Sequence, residues 1–293
     1  MVHESSSSSG SETKHVVVHI PEDCTTLEAA VKLVEKDGCL ATIVLGKGEH
    51  IVDGNWLEIS SSLNIVGQPG LIKEEIIVVG GIRIHAKIQN NVHLQHMTIR
   101  HSKYIGVWGQ SSFTMKNVIV EECGDGIYAD GAAVVGRCTN IEVRQCGMSG
   151  VAATYGATLT LSGAKTIVHD NCTHGTSGEY GLKVACSPTS TIQFVSPLTK
   201  EIVSGNNVGG LNWGAGAGGD VNQIKTIGAA DANYQMQKLK MCSFCHCKKP
   251  RDQMKKCSKC GTKYCSKNCQ QSDWQDHKQI CKMMRSGKKK IKA

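Results

Sequence analysis

The chain has little proline, few aromatic residues and no long apolar run. Its 293 residues include 5 Pro, and Phe, Trp and Tyr together make up 4%. No run of about 18 apolar residues occurs, so we expect no membrane-spanning helix. The N-terminal sequence MVHESSSSSGSETKH has no apolar core, so we also expect no signal peptide. The 32 glycines favour a repetitive β-rich body with tight turns over a helical bundle.

Charge and cysteine are divided unevenly along the chain. Residues 1–237 carry 16 Lys and Arg against 22 Asp and Glu, a net charge of −6. Residues 238–293 carry 17 against 3, a net charge of +14, and hold eight of the 15 cysteines. We therefore predict a large acidic domain followed by a small basic one. We also predict a reducing cytoplasmic or nuclear location, where clustered cysteines bind metal and do not form disulfides.

A repeat runs from about residue 40 to residue 228. A unit of 20-odd residues cannot bury its apolar side alone, so we expect the units to stack as successive rungs of a coil. In our alignment His169 lies on an inward column, and the cysteines pack inside as small apolar residues. The clearest column consists of Ser102, Cys123, Cys146, Cys172 and Asn207. The next run opens at Gly106-Val107, Gly126-Ile127, Gly150-Val151, Gly181-Leu182 and Gly210-Leu211.

This pattern resembles the right-handed parallel β-helix of the pectin-lyase-like superfamily, which implies a mainly β solenoid. An amphipathic helix over Thr25–Asp37 is predicted to cap the first rung, with Thr25 as its N-cap and Glu28 closing a capping box. Its apolar stripe consists of Leu27, Val31 and Val34. A leucine-rich-repeat horseshoe is the alternative fold, but the inner positions here are mostly Val and Ile instead of Leu.

Eight metal-type ligands occupy the last part of the chain. Each Cys-x2-Cys pair supplies two sulfurs from one tight turn, and an i, i+4 His/Cys pair shares one face of a helix. Two closed tetrahedral zinc sites account for the set, but spacing alone does not decide whether the ligands pair in sequence or interleave. His246 and Cys247 are further candidates beside the first pair. The eight are Cys242, Cys245, Cys257, Cys260, Cys265, Cys269, His277 and Cys281.

The ligand string resembles the MYND finger over residues 242–281, including Tyr264-Cys265-Ser266 and Asp273-Trp274. The resemblance implies interleaved sites for two Zn²⁺ ions. One would use Cys242, Cys245, Cys265 and Cys269, and the other would use Cys257, Cys260, His277 and Cys281. Both sites are closed, so we expect the zinc to be structural and not catalytic. Zinc stabilises such segments by on the order of 10 kcal/mol, so we expect this one to be unfolded without metal.

The resemblance also implies protein–protein interaction through short proline-containing peptides, with Gln270 and Trp274 as the peptide-binding residues. A tryptophan face suits the stiff proline ring. Each residue has a structural alternative, because Trp274 could pack under the helix of a small fold and Gln270 could be a solvated helix residue.

The sequence therefore predicts five segments: a disordered Ser-rich tail (1–14), a capped parallel β-helix (15–228), a linker (229–241), a MYND zinc finger (242–281) and a basic tail (282–293). We predict an adaptor or regulatory protein that is not an enzyme and has no membrane partner. One alternative is a carbohydrate lyase or hydrolase recruited by its finger. Another is a nuclear regulator whose basic C-terminus contacts nucleic acid. The candidate catalytic residues are Asp125, Asp130, Arg137, Arg144, His169, Asp170 and His174.

Overall fold

The main body of the chain is a parallel β-solenoid of about six turns. The structure, a computed structural model, describes residues 16–37, 41–86, 88, 91–232, 254–264, 267–274, 277–278 and 281. The predicted tails 1–14 and 282–293 lie outside these residues. The solenoid strands are β1 (Val16–Ile20), β2 (Ala41–Leu45), β3 (Gly48–Ile59), β4 (Leu63–Gly67), β5 (Ile76–Ile84), β6 (Val92–Arg100), β7 (Ile105–Gly109), β8 (Phe113–Glu121), β9 (Asp125–Asp130), β10 (Val135–Thr139), β11 (Glu142–Arg144), β12 (Val151–Thr154), β13 (Thr158–Ser162), β14 (Ile167–His169), β15 (Leu182–Ala185), β16 (Thr191–Val195), β17 (Ser204–Gly205), β18 (Trp213–Ala215) and β19 (Ile224–Ile227). Helices α1 (Leu27–Asp37) and α2 (Lys200–Val203) belong to this body.

Each turn of the coil contributes to three parallel sheets. The first sheet contains β1, β2, β4, the first halves of β6 and β8, then β10, β13, β16 and β19. The second contains the first halves of β3 and β5, the second halves of β6 and β8, then β11, β14 and β17. The third contains the second halves of β3 and β5, then β7, β9, β12, β15 and β18. The strands stack in register, which places like residues above one another.

Single left-handed residues form the corner between the first and second sheets. His96, Asn117 and Asn140 have φ angles of 61°, 53° and 53°. One residue in this conformation turns an extended chain sharply, and Asn and His tolerate it better than β-branched residues do. The corner between the second and third sheets uses the same device at five levels, in His101, Glu122, Gln145, Asp170 and Asn206.

The interior consists of apolar columns that run along the solenoid axis. One column has a side chain at most 1% exposed at seven successive levels: Ile43, Ile65, Leu94, Met115, Cys138, Leu161 and Phe194. Burial raises the pKa of the Cys138 thiol to about 12, and the pKa of Cys123 rises to about 12 mainly for the same reason. Both thiols therefore stay protonated at neutral pH and pack as small apolar groups.

The predicted alignment is wrong by one residue in its fourth unit. The residue at the corner is Asn171, not Cys172, because the left-handed turn falls on Asp170. The Asn171 side chain accepts from the Cys146 backbone N–H at 3.1 Å, and the Asn171 backbone N–H donates to Asn207 Oδ1 at 3.1 Å. Polar side chains thus link adjacent rungs inside the corner.

The same shift moves His169 from the predicted inward column to the outer surface. His169 pairs with Arg144 in the sheet register. Its ring contacts the carboxylates of Asp170 at 2.6 Å and Glu142 at 3.4 Å. The alignment is also wrong in the last unit, where Leu182 pairs with Trp213 and not with Leu211.

Helix α1 packs on the first turns of the solenoid. Leu27, Val31 and Val34 are each at most 2% exposed, as their spacing predicts. The capping prediction is wrong by one residue, because Thr26 Oγ1 accepts from the Ala29 backbone N–H at 3.2 Å. Glu28 does not close a capping box. Its carboxylate accepts from the backbone N–H of Asp53 in β3, since the helix lies against that strand.

Residues 229–232 form a helical turn after β19. Within the described parts of the chain, no helix is long and apolar enough to cross a membrane.

Among the described carboxylates of the solenoid, Asp125 has the largest pKa shift. It is 8% exposed at the start of β9, and Oδ1 accepts from the Ser149 backbone N–H at 3.0 Å. Burial and the nearby Glu179 charge raise its pKa to about 6. A carboxyl whose folded pKa is raised is destabilising once ionised, so its cost to stability grows as pH rises from about 4 to 6.

We expect Asp125→Asn to stabilise the protein by about 2 kcal/mol at pH 7.5 and to have no such effect at pH 4, because the amide keeps the acceptor and removes the charge. Denaturant unfolding at the two pH values measures this. Asp130→Asn is the matched control, since the Asp130 carboxylate accepts from Trp108 Nε1 at the other end of the same strand. An equal effect of Asp125→Asn at both pH values would contradict the account.

Candidate metal centre

Four metal-type ligands converge in the C-terminal segment. Two of them lie at a tight turn between the short antiparallel strands β20 (Lys255–Lys256) and β21 (Lys263–Tyr264). The Cys257 backbone N–H donates to Thr262 O at 2.8 Å, and Gly261 N–H donates to Cys257 O at 2.8 Å. Gly261 has a φ of 87°, which the turn requires and which glycine adopts without strain. This turn presents the thiols of Cys257 and Cys260 on the same side.

The other two ligands lie on helical turns that follow α3 (Lys267–Ser272). Backbone hydrogen bonds of the i to i−4 kind connect Asp273 to Cys269 and His277 to Asp273, at 3.1 and 2.8 Å. Residues four apart share a helix face, so His277 and Cys281 approach the same point.

The donor atoms of Cys257, Cys260, His277 and Cys281 all lie within 4.8 Å of one another. Cys257 Sγ is 3.9 Å from Cys281 Sγ, and Cys260 Sγ is 3.4 Å from His277 Nε2. With Zn–S bonds of about 2.3 Å and Zn–N bonds of about 2.0 Å, tetrahedral donors are spaced about 3.8 Å (S to S) and 3.5 Å (S to N). The spacing of this donor set therefore fits one tetrahedral zinc ion.

The protonation of these thiols also fits a cation. Burial opposes the ionisation of Cys257, but hydrogen bonds from His277 and from the turn backbone outweigh it and lower its pKa to about 6. Burial, together with the thiols of Cys260 and Cys257, raises the pKa of Cys281 to about 11. Three thiolates held this close repel one another, and a divalent cation is the group that allows them to ionise together.

A buried hydrogen bond joins the strands to the helix beside the metal ligands. The Tyr264 hydroxyl donates to Asp273 Oδ2 at 2.7 Å, and the edge of its ring contacts the His277 ring, with centroids 5.8 Å apart. Burial and the Asp273 carboxylate both raise the pKa of Tyr264, so its hydroxyl keeps its proton and remains a donor. The sequence singled out Tyr264 and Asp273 only as parts of a motif and did not predict that they contact each other.

A shallow open pocket lies on the exposed side of the same helix. It is lined by Lys267, Gln270, Gln271 and Trp274. Trp274 is 45% exposed, and its ring centroid lies 6.0 Å from that of His277. The structure therefore brings the two predicted peptide-binding residues, Gln270 and Trp274, into one pocket. The candidate metal ligand His277 thus lies next to the Trp274 ring.

The candidate catalytic residues are distributed over the solenoid. Asp125 contacts Ser149 at the corner, and Arg144 forms ion pairs with Glu121 and Glu142 at 2.7 Å on the second sheet. Asp130 accepts from Trp108 on the third sheet, and His169 contacts Asp170 on the second. Arg137 lies on the first sheet, and His174 lies beside Gly147. These residues do not form a single cluster.

The ligands of the predicted first zinc site are described only in part. Cys269 is half-buried in α3, and Cys242, Cys245 and Cys265 lie outside the described residues, as do His246 and Cys247. A family model described as the MYND finger matches residues 242–281. Residues 242–281 are a MYND finger. MYND fingers bind zinc and generally mediate protein–protein interactions, and the four converging donors fit a zinc site of this finger. No match to the chain is found among curated proteins.

Replacing Cys257 by serine removes one of four donors from this centre. We expect the zinc content of the purified protein to fall by about one ion per chain, because a structural site with three donors binds far more weakly. Elemental analysis at a known protein concentration measures this. Cys186→Ser is the control, since Cys186 is a free, exposed cysteine of the solenoid. Equal zinc content in the two variants would rule out Cys257 as a ligand.

Proposed function

We propose that the chain is an intracellular adaptor in which the MYND finger binds a proline-containing segment of a partner protein and the solenoid serves as a rigid arm. The pocket at Trp274 is the observation that carries this proposal. A large aromatic face is exposed there, and among the described residues of the finger Trp274 is the one large apolar side chain that is exposed. Aromatic side chains in such positions are common anchors for partner residues.

The chemistry of the pocket suits an extended proline-containing segment. The Trp274 ring offers a flat face for a proline ring, which loses little entropy on binding. The Gln270 amide can both donate to and accept from a peptide backbone. Lys267 adds a positive charge at the rim, so the proposal favours a partner segment with a carboxylate near its proline.

We also propose that the finger holds two zinc ions in interleaved sites and that neither ion is catalytic. The interleaved set Cys257, Cys260, His277 and Cys281 converges with four protein donors, which leaves no position for water or substrate in a tetrahedral site. The scattered positions of the candidate catalytic residues support a binding role for the solenoid over an enzymatic one. Most of their charged groups have structural partners: Arg144 pairs with two glutamates and Asp130 with Trp108.

Peptides selected on the full-length protein from a displayed random library should be enriched in proline. We expect Trp274→Ala to weaken the best of them by about 30-fold, since removing a central aromatic anchor costs about 2 kcal/mol. Calorimetry or fluorescence anisotropy measures the affinity, and zinc content confirms that the finger is intact.

The matched control is Tyr155→Ala, which removes an aromatic ring that is 58% exposed on the solenoid. Selected peptides without proline, or affinity unchanged in Trp274→Ala, would refute the proposed groove.

A further inference from the structure

Part of the outer face of the first sheet is buried, although its side chains point away from the core. On β4, β6 and β8 the inward residues alternate with Asn64, His93 and Thr114, which are stacked in register. Outward residues of a solenoid sheet normally contact water. These three are each only 2% exposed. We define this column, extended through Arg137 and Thr160 on β10 and β13, as the polar strip.

The polar strip has hydrogen-bonding capacity that no described residue uses. His93 Nδ1 contacts Thr114 Oγ1 at 2.7 Å, and the Asn64 amide donates to Thr42 Oγ1 at 3.0 Å. Three buried atoms have no partner among the described residues: Asn64 Oδ1, Arg137 Nη1 and Thr160 Oγ1. A buried polar atom without a partner costs about 1–3 kcal/mol, which favours a polar group that binds over the strip.

A direct contact identifies what lies beside the strip. Lys116 follows Thr114 by two residues on β8 and points to the same side. Its Nζ lies 3.9 Å from Asp273 Oδ1 in the finger. Asp273 also accepts a hydrogen bond from the Tyr264 hydroxyl at 2.7 Å. Lys116 therefore contacts the residue that joins strand β21 to the helical turns of the finger.

The chain between the solenoid and the finger is long enough for the finger to lie against β8. On the first sheet β19 is four strands from β8, a distance of about 19 Å at the usual strand spacing. The 21 residues between Ala232 and Met254 can span up to about 70 Å. The opposite net charges, −6 for residues 1–237 and +14 for residues 238–293, favour the association.

We propose that the polar strip and Lys116 form a docking surface for the MYND finger of the same chain. The finger is then fixed to the solenoid, and its pocket faces outward, because Trp274 remains 45% exposed while Asp273 contacts Lys116. A bound partner would be held in a fixed orientation relative to the solenoid axis. This inference does not depend on the ligand of the Trp274 pocket.

Lys116→Glu tests the docking surface in the full-length protein. The reversed charge repels Asp273, so we expect the finger to separate from the solenoid and the radius of gyration in small-angle scattering to increase. Lys225→Glu is the matched control, because Lys225 is exposed on the same sheet and its Nζ hydrogen-bonds Gln223 instead of the finger. Lys116→Gln, with a smaller increase, provides a second variant if Lys116→Glu does not fold.

An unchanged radius of gyration in both Lys116 variants would overturn the proposal. A scattering mass equal to two chains at working concentration would also overturn it, since a second copy would then cover the strip. The peptide affinity of Lys116→Glu distinguishes a failure of the docking surface from a failure of the proposed function. The affinity should stay within about twofold of the wild-type value if the pocket faces outward, because Lys116 does not line it.

Discussion

Metal coordination is the interaction on which the functional end of the chain depends. The buried cluster of the finger consists of Met254, Tyr264 and the ligands Cys257 and Cys281, with Cys260 and Cys269 at its edge. Four of these six described residues are cysteines, and thiolates forced together without a cation would repel one another. The helix that carries Trp274 is held against the strands by the same donors. The shape of the pocket is thus a consequence of the metal site.

The solenoid follows a different physical rule, because its stability comes from repetition. Stacked columns such as Ile65, Leu94 and Met115 bury apolar side chains at every level, and single left-handed residues repeat the corners. This body provides a long surface. The contact between Lys116 and Asp273 places the finger on that surface, so the two parts share one outer face.

Local patterns predicted much of this structure, and long-range geometry accounts for what they missed. The fixed ligand spacing predicted the finger, and the Val and Ile columns predicted a parallel solenoid. Matching the thiols of successive units placed Cys172 in the corner column instead of Asn171. The corner is set by the left-handed backbone of Asp170, the residue before Asn171. The preceding polar residues were the signal that could have corrected it. No sequence pattern links Lys116 to Asp273, which are far apart in the chain and meet only in the folded molecule.

Hydrogen exchange of the full-length protein before and after zinc chelation tests the central claim most directly. We predict that chelation removes the protection of the finger amides of Gly261, Asp273 and His277, which form hydrogen bonds only in the metal-organised turn and helix. Protection of the solenoid strands should not change. Finger amides that stay protected after all zinc has left would contradict the account, because the finger would then hold its shape without metal.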